Sequence, residues 1–222
     1  MSFKGQIEAR CPKGCEAFTT EVWSFIRGDQ SPELRDAILW RECNLILCET
    51  CSLAFFPENA YIYYEPPAEL LAFVFPESYR AKEEFWRAKM REDFTAIKGT
   101  LEKTISLDQE PRIFFGHEEL AELLEKEDYR GEEREVMEAL AAELGMSLYQ
   151  VSPSFSREQV VPRSLPFIAA KKGAPADRAA VVAGLEKLLA ANDRLEEYKA
   201  FLERFKADAK ATLPPPATTK PS

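Results

Sequence analysis

The sequence predicts an α+β fold: a small antiparallel sheet with one inserted helix, followed by a mostly helical region. Three observations carry this. Residues 1–78 hold all five cysteines and several short apolar runs of β type. Beyond them, apolar residues recur every three or four positions, the period of an amphipathic helix. The cysteines also form two close doublets, Cys11 with Cys15 and Cys48 with Cys51, of the kind found in the turns of short hairpins.

Ile7 to Ala9 and Phe18 to Ile26 read as strands, the second alternating Val22, Ser24 and Ile26 against Trp23 and Phe25. Ser31-Pro32-Glu33 opens a helix that runs to about Trp40, with Ser as N-cap, Pro at the first helical position and Glu favourable to the dipole. Asn44 to Leu47, Leu53 to Phe56, Tyr61 to Tyr64 and Leu70 to Phe75 follow as short strands separated by Pro-containing turns.

From Ser78 to Lys103 the texture is helical: Trp86, Met90, Phe94, Ile97 and Leu101 make one apolar stripe among charged residues. Arg112 to Phe115 is a short strand ended by Gly116. Helices are expected over His117 to Lys126 and Gly131 to Leu144, the second closed by Gly145. Met146 to Ala176 contains Pro153, Pro162, Pro166 and Pro175 without periodicity and reads as an irregular segment. Asp177 to Ala211 is helical again. One stripe there is Val181, Leu185, Leu188 and Leu189; the other is Leu195, Tyr198, Phe201, Leu202 and Phe205, expected to dock on the body of the protein. Residues 212–222 contain four prolines and read as a disordered tail.

At 222 residues and 45% hydrophobic content the chain makes one large domain or two small ones with a real core. The net charge of −9 disfavours nucleic acid, because phosphate binding draws its affinity from Lys and Arg replacing counterions. The longest cationic run is a pair such as Lys171-Lys172. The first residues lack the apolar core of a signal peptide, and no apolar run approaches the ~20 residues that cross a bilayer. The expected address is therefore the cytoplasm, with no membrane partner. In that reducing compartment, paired cysteines read as metal ligands rather than disulfides.

A structural zinc wants four thiolates in a tetrahedron, usually from two tight turns whose backbone N–H groups point at the sulfurs. Cys11-Pro12-Lys13-Gly14-Cys15 and Cys48-Glu49-Thr50-Cys51 supply them, with Pro12 and Gly14 as turn residues. The 32 residues between the pairs leave room for the helix from Ser31 to Trp40. Two other readings compete. Free buried thiols are common, but two close pairs within 41 residues are not. A redox C-x-x-C sits at a helix N-terminus in a βαβ unit, whereas Cys48 follows the strand-like Leu45-Ile46-Leu47. Cys11, Cys15, Cys48 and Cys51 are thus the expected ligands of one structural zinc ion with no open coordination position. Cys43 reads as a packed residue and stands as the substitute should Cys15 lie out of reach.

These residues resemble the CpXC domain, a bacterial family named for its Cys-Pro-x-Cys motifs. The likeness spans about residues 7–79, carried by Cys11-Pro12-Lys13 with Cys15, Glu21-Val22-Trp23-Ser24, Ser31-Pro32-Glu33-Leu34-Arg35, the pair Cys48 and Cys51, and Phe75-Pro76-Glu77. A looser echo continues through Phe114-Phe115-Gly116 and Glu127-Asp128-Tyr129. The resemblance implies a cytoplasmic bacterial protein with a zinc-ribbon-like domain over 1–78 and no assigned activity. Two departures stand out: Gly14 and Cys15 occur in swapped order, and Glu49 and Ser52 replace the usual proline and glycine of the second turn.

His117 is the only histidine, and with no nucleophile motif to pair with it reads as a helix-end residue. No residue is assigned a catalytic role. The stretch from His117 to Leu144 carries eleven Asp or Glu against three Lys or Arg and reads as a solvated helical face. Phe55, Phe56, Tyr61, Tyr63 and Tyr64 read as the core of the small sheet rather than a binding platform. The expected role is a non-enzymatic, zinc-stabilised module that binds protein or acts as a scaffold. The alternative is an enzyme with a cleft between the zinc domain and the helices; nucleic-acid binding through the zinc ribbon comes behind both.

Overall fold

The computed structural model describes residues 1–101, 110–169, 171 and 173–217, and side chains at 97 and 99–101 lie outside that description. The side chains of Ile97 and Leu101 in the expected stripe, the helix end at Lys103 and Lys172 therefore fall outside it. Among the described residues the fold is α+β, as expected. The strands are β1 (Phe3–Ala9), β2 (Phe18–Arg27), β3 (Ile46–Leu47), β4 (Ala54–Phe55), β5 (Tyr61–Glu65), β6 (Leu70–Phe75), β7 (Arg112–Phe115), β8 (Ser147–Gln150) and β9 (Ser164–Phe167). The helices are α1 (Pro32–Leu39), α2 (Glu83–Leu101), α3 (Glu118–Glu143), α4 (Pro153–Gln159), α5 (Arg178–Ala191) and α6 (Glu196–Ala207).

The chain divides into two compact units, Met1–Lys126 and Glu127–Ser222. The first is built on a five-stranded sheet in the order β1-β2-β5-β6-β7. Its hydrophobic alternation sets two faces. Ile26, Tyr63, Leu70, Ala72, Val74 and Phe114 pack with Leu34 and Ile38 of α1 and with Leu120 and Leu124 of α3. On the other face Phe25, Tyr64, Leu71, Phe73, Phe75 and Phe115 pack with Met90 of α2. β6 is buried throughout because helices cover both of its faces, which is why Leu70 to Phe75 is a continuous apolar run.

Two expectations for this unit are corrected. The sheet is mixed rather than antiparallel: β2 pairs with β5, and β6 with β7, in parallel. Parallel neighbours need a long crossover, and the chain supplies one through α1 and the β3–β4 hairpin and another through α2. Side-chain periodicity reports burial, not strand direction. The unit also continues past residue 78, because Arg112–Phe115 completes the sheet.

The two helices expected on either side of Gly131 are one, α3, which begins in the first unit and ends in the second, as glycine's propensity cost of ~1 kcal/mol is too small to break a packed helix. The segment expected to be irregular contains β8, α4 and β9. Ser152 caps α4 by accepting from Phe155 N, with Pro153 at its first turn, and β8 pairs antiparallel with β9. Val181, Leu185 and Leu188 of α5 meet Tyr198, Phe201, Leu202 and Phe205 of α6 in one core, so the C-terminal stripe docks on the body. The tail is also corrected over residues 212–217, whereas residues 218–222 lie outside the described residues. Pro216 bridges Val151, Pro215 O accepts from Ser152 N at 2.8 Å, and Ala217 N donates to Gln150 O at 2.9 Å. Proline lacks the N–H but keeps its carbonyl, and an extended proline run presents carbonyls along the open edge of β8.

Candidate metal centre

The loop from β1 to β2 turns at Cys11-Pro12-Lys13-Gly14. Gly14 N donates to Cys11 O at 2.9 Å and Lys13 N–H lies 3.4 Å from Cys11 Sγ. Gly14 sits at φ +77°, where a Cβ would be strained, and this left-handed step turns Cys15 back toward Cys11. The swapped glycine thus still performs a turn, one residue earlier.

β3 and β4 pair as a second hairpin, Ile46 with Phe55 and Leu47 with Ala54, and its turn carries Cys48 and Cys51. Ser52 closes the turn at φ +55°, its N–H donating to Cys48 O at 2.8 Å, while Cys48 N donates to Leu53 O at 2.9 Å. That left-handed conformation explains why glycine suits this position, and it is the feature that the residues alone conceal.

The two turns bring the four sulfurs of Cys11, Cys15, Cys48 and Cys51 within 4.8 Å of one another. Cys11 Sγ and Cys51 Sγ stand 3.7 Å apart. Bonds of ~2.3 Å to a tetrahedral zinc place sulfurs ~3.8 Å apart, so the donor set fits such an ion. The charges agree. Backbone N–H groups, first of Cys51 and then of Thr50, draw the Cys48 thiol down to about 6 against the effect of burial. Hydrogen bonding among the sulfurs, first with Cys51 and then with Cys11, pushes Cys15 up to about 12. Crowded sulfurs keep some of their protons; a bound dication removes them.

Little else holds the two turns. Among the described residues, Ala9, Cys11, Cys48 and Phe55 form the buried cluster around them, with Ile7, Phe18, Ile46 and Leu53 partly buried against it and Phe18 edge-on to Phe55 at 6.4 Å between ring centres. A patch this small, with strands of two residues at β3 and β4, buries little apolar area. Cys43 is elsewhere, 2% exposed in the main core beside Ile38 and Tyr61, where burial pushes its thiol up to about 12. With Cys15 inside the cluster, Cys43 has no place in it.

The other sequence candidates separate. Phe55, Tyr61, Tyr63 and Tyr64 are buried as expected, but Phe56 is 40% exposed, its ring 4.1 Å from that of His117. Much of the acidic stretch is paired. Arg41 reaches Glu118 at 2.7 Å and Glu125 at 2.9 Å, and Arg130 bridges Glu133 and Glu197 at 2.6 and 2.8 Å. Glu127, expected on a solvated face, is buried against Arg163 at 2.6 Å. No described helix is long and apolar enough to cross a membrane.

No curated protein matches this chain, and no solved structure does. The family model for CpXC protein matches residues 9–140. That stretch spans both cysteine turns and the sheet they adjoin, and covers more than half of the 222 residues. The chain belongs to the CpXC protein family.

Proposed function

We propose that the four thiolates hold one zinc ion as a structural clip, and that the chain is a non-enzymatic module that binds protein in the cytoplasm. The observation that carries the reading is the closed sulfur set. Four donors at near-tetrahedral spacing leave no coordination position for a substrate or an activated water, which is what separates a structural zinc from a catalytic one. Its contribution is mechanical: the ion fastens the β1–β2 loop to the β3–β4 hairpin and fixes the surface these loops present. The acidic balance of the chain, −9, suits a basic protein surface and repels a phosphate backbone.

Affinity purification of the wild-type chain and of Cys48→Ser from the source cells, reduced and free of chelator, tests this reading. A stoichiometric protein partner that the wild type retains and Cys48→Ser loses is the expected result. Recovery of nucleic acid in place of protein, or of no macromolecule, overturns it.

A further inference from the structure

At the start of α3, inside the first unit, lies a cavity of about 190 Å³. Its buried floor includes Tyr61 and Phe75, 3% and 7% exposed. His117 forms one wall, with the Tyr61 ring nearly parallel to it at 6.3 Å and the Phe56 ring at 4.1 Å. Two polar atoms here are buried without a hydrogen-bond partner: the Tyr61 hydroxyl oxygen and His117 Nδ1. Folded proteins leave few such atoms unmatched, and both belong to residues that line this one cavity.

The lining also has a charge. Glu58 and Glu77 stand on it, and among the described residues no Lys or Arg does. Glu77 is held by Arg80, and Glu58 accepts from the Ser78 hydroxyl, so both carboxylates are fixed before anything binds. Arg80 offsets the charge of Glu77, while no described cation lies within ion-pair reach of Glu58. Burial keeps His117 below its ordinary pKa, so a neutral ring offers an acceptor nitrogen. Carboxylates, a neutral imidazole and aromatic faces share one preference, a cation that donates hydrogen bonds. A bare metal ion fits less well, because among the described residues only the four cysteines converge within metal-binding distance. The size points the same way: drug-sized ligands fill roughly 300–1,000 Å³, whereas a single long side chain needs far less.

The cavity is tied to the metal centre through neighbouring residues. Phe55 packs in the sulfur cluster while Phe56, next in the chain, turns to His117. The hairpin that a metal would fasten is thus the one that sets the cavity wall.

The geometry points to this cavity as the seat of a lysine side chain from a protein partner, its ammonium group between Glu58 and Glu77 and its alkyl stem along Phe56 and Phe75. The inference rests on the protein-binding reading above and names the chemistry the partner brings.

His117, the only histidine, gives a single Hε1 proton resonance at the cavity. Metal-loaded protein is titrated with Nα-acetyl-lysine N-methylamide and with n-butylammonium, and in parallel with the Nε-acetylated lysine and with 1-butanol, which carry no charge. A saturable shift with both cations, absent with both neutral compounds and weakened about tenfold in Glu58→Gln, is the expected result. Glu58 is exposed, so that variant keeps its fold. No saturable shift with either cation, or an equal shift with the neutral compounds, overturns the inference. Binding of butylammonium without the capped lysine also overturns it, and makes the site one for a free small amine. The two readings fail separately: a captured partner that survives Glu58→Gln and Phe56→Ala sinks the cavity assignment alone, whereas cation binding with no captured partner sinks the module reading.

Discussion

Cys43 and Cys48 are five positions apart in the chain and belong to different structures. Cys48 lies in the sulfur cluster, with two N–H groups directed at its sulfur; Cys43 lies among Ile38, Tyr61 and Leu124 in the main core. Their substitutions should therefore separate. On the proposed zinc site, Cys48→Ser removes one of four thiolates and with it the metal free energy that is part of folding, so it should release zinc and loosen the first unit. Cys43→Ser keeps the metal but buries a hydroxyl in an apolar site, costing about 1–3 kcal/mol. A colorimetric zinc assay beside a denaturation curve distinguishes them; zinc release from Cys43→Ser would contradict the ligand set. Ser52 shows what a single backbone angle does. Its φ of +55° strains a residue with a Cβ, and Ser52→Gly should raise stability by about 0.5–1 kcal/mol in urea denaturation. The four-cysteine cluster was legible from spacing alone, because two doublets need little else to be recognised. The environment of His117 was not. It depends on Phe56, Tyr61 and Glu77, which come together only when the sheet forms, and no local pattern links them.

Among the elements, two glycines in helices make opposite demands. A Cβ on Gly184 would lie 2.3 Å from Pro166 O and 2.6 Å from Phe167 Cα, so α5 rests directly on the backbone of β9. A Cβ on Gly131 of α3 would meet nothing within 4 Å. Thermal unfolding should show Gly131→Ala stabilising by about 0.5–1 kcal/mol and Gly184→Ala destabilising by about 1–3 kcal/mol, against its better helix propensity. Equal effects of the two would mean that α5 does not pack so closely. The tail makes a further demand. With Pro214 O accepting from the Tyr149 hydroxyl and Pro215 O from Ser152 N, truncation after Thr212 should lower the melting temperature of the second unit. An unchanged melting curve would show that the tail contributes nothing to β8. Sequence reading missed this region for a physical reason: four prolines in a stretch without apolar periodicity read as breakers. Ser152-Pro153 is the same helix-start signal as Ser31-Pro32, and at Ser152 the hydroxyl caps the helix, whereas Ser31 turns its hydroxyl to Ser2 at 2.8 Å instead. The signal was present; the apolar periodicity that should follow it was too short to see in a helix of seven residues.

For the whole molecule, the two units rest on different kinds of support. The second has one continuous apolar core drawn from β8, β9, α5 and α6, large enough to persist by burial. The first has a two-faced sheet between helices and, apart from it, the small cysteine-bearing cluster with few buried apolar residues. The fold class was readable because helical and strand periodicities differ along the chain. Strand direction and the extent of the first unit were not, since they are set by how crossovers close the sheet. The central claim is that one zinc ion joins the two cysteine turns. X-ray absorption at the zinc edge, with elemental analysis, measures it directly on reduced protein as purified. The expected result is about one zinc per chain bound by four sulfurs at ~2.3 Å. Folded protein without zinc, or zinc with nitrogen or oxygen in place of any of the four sulfurs, would contradict it.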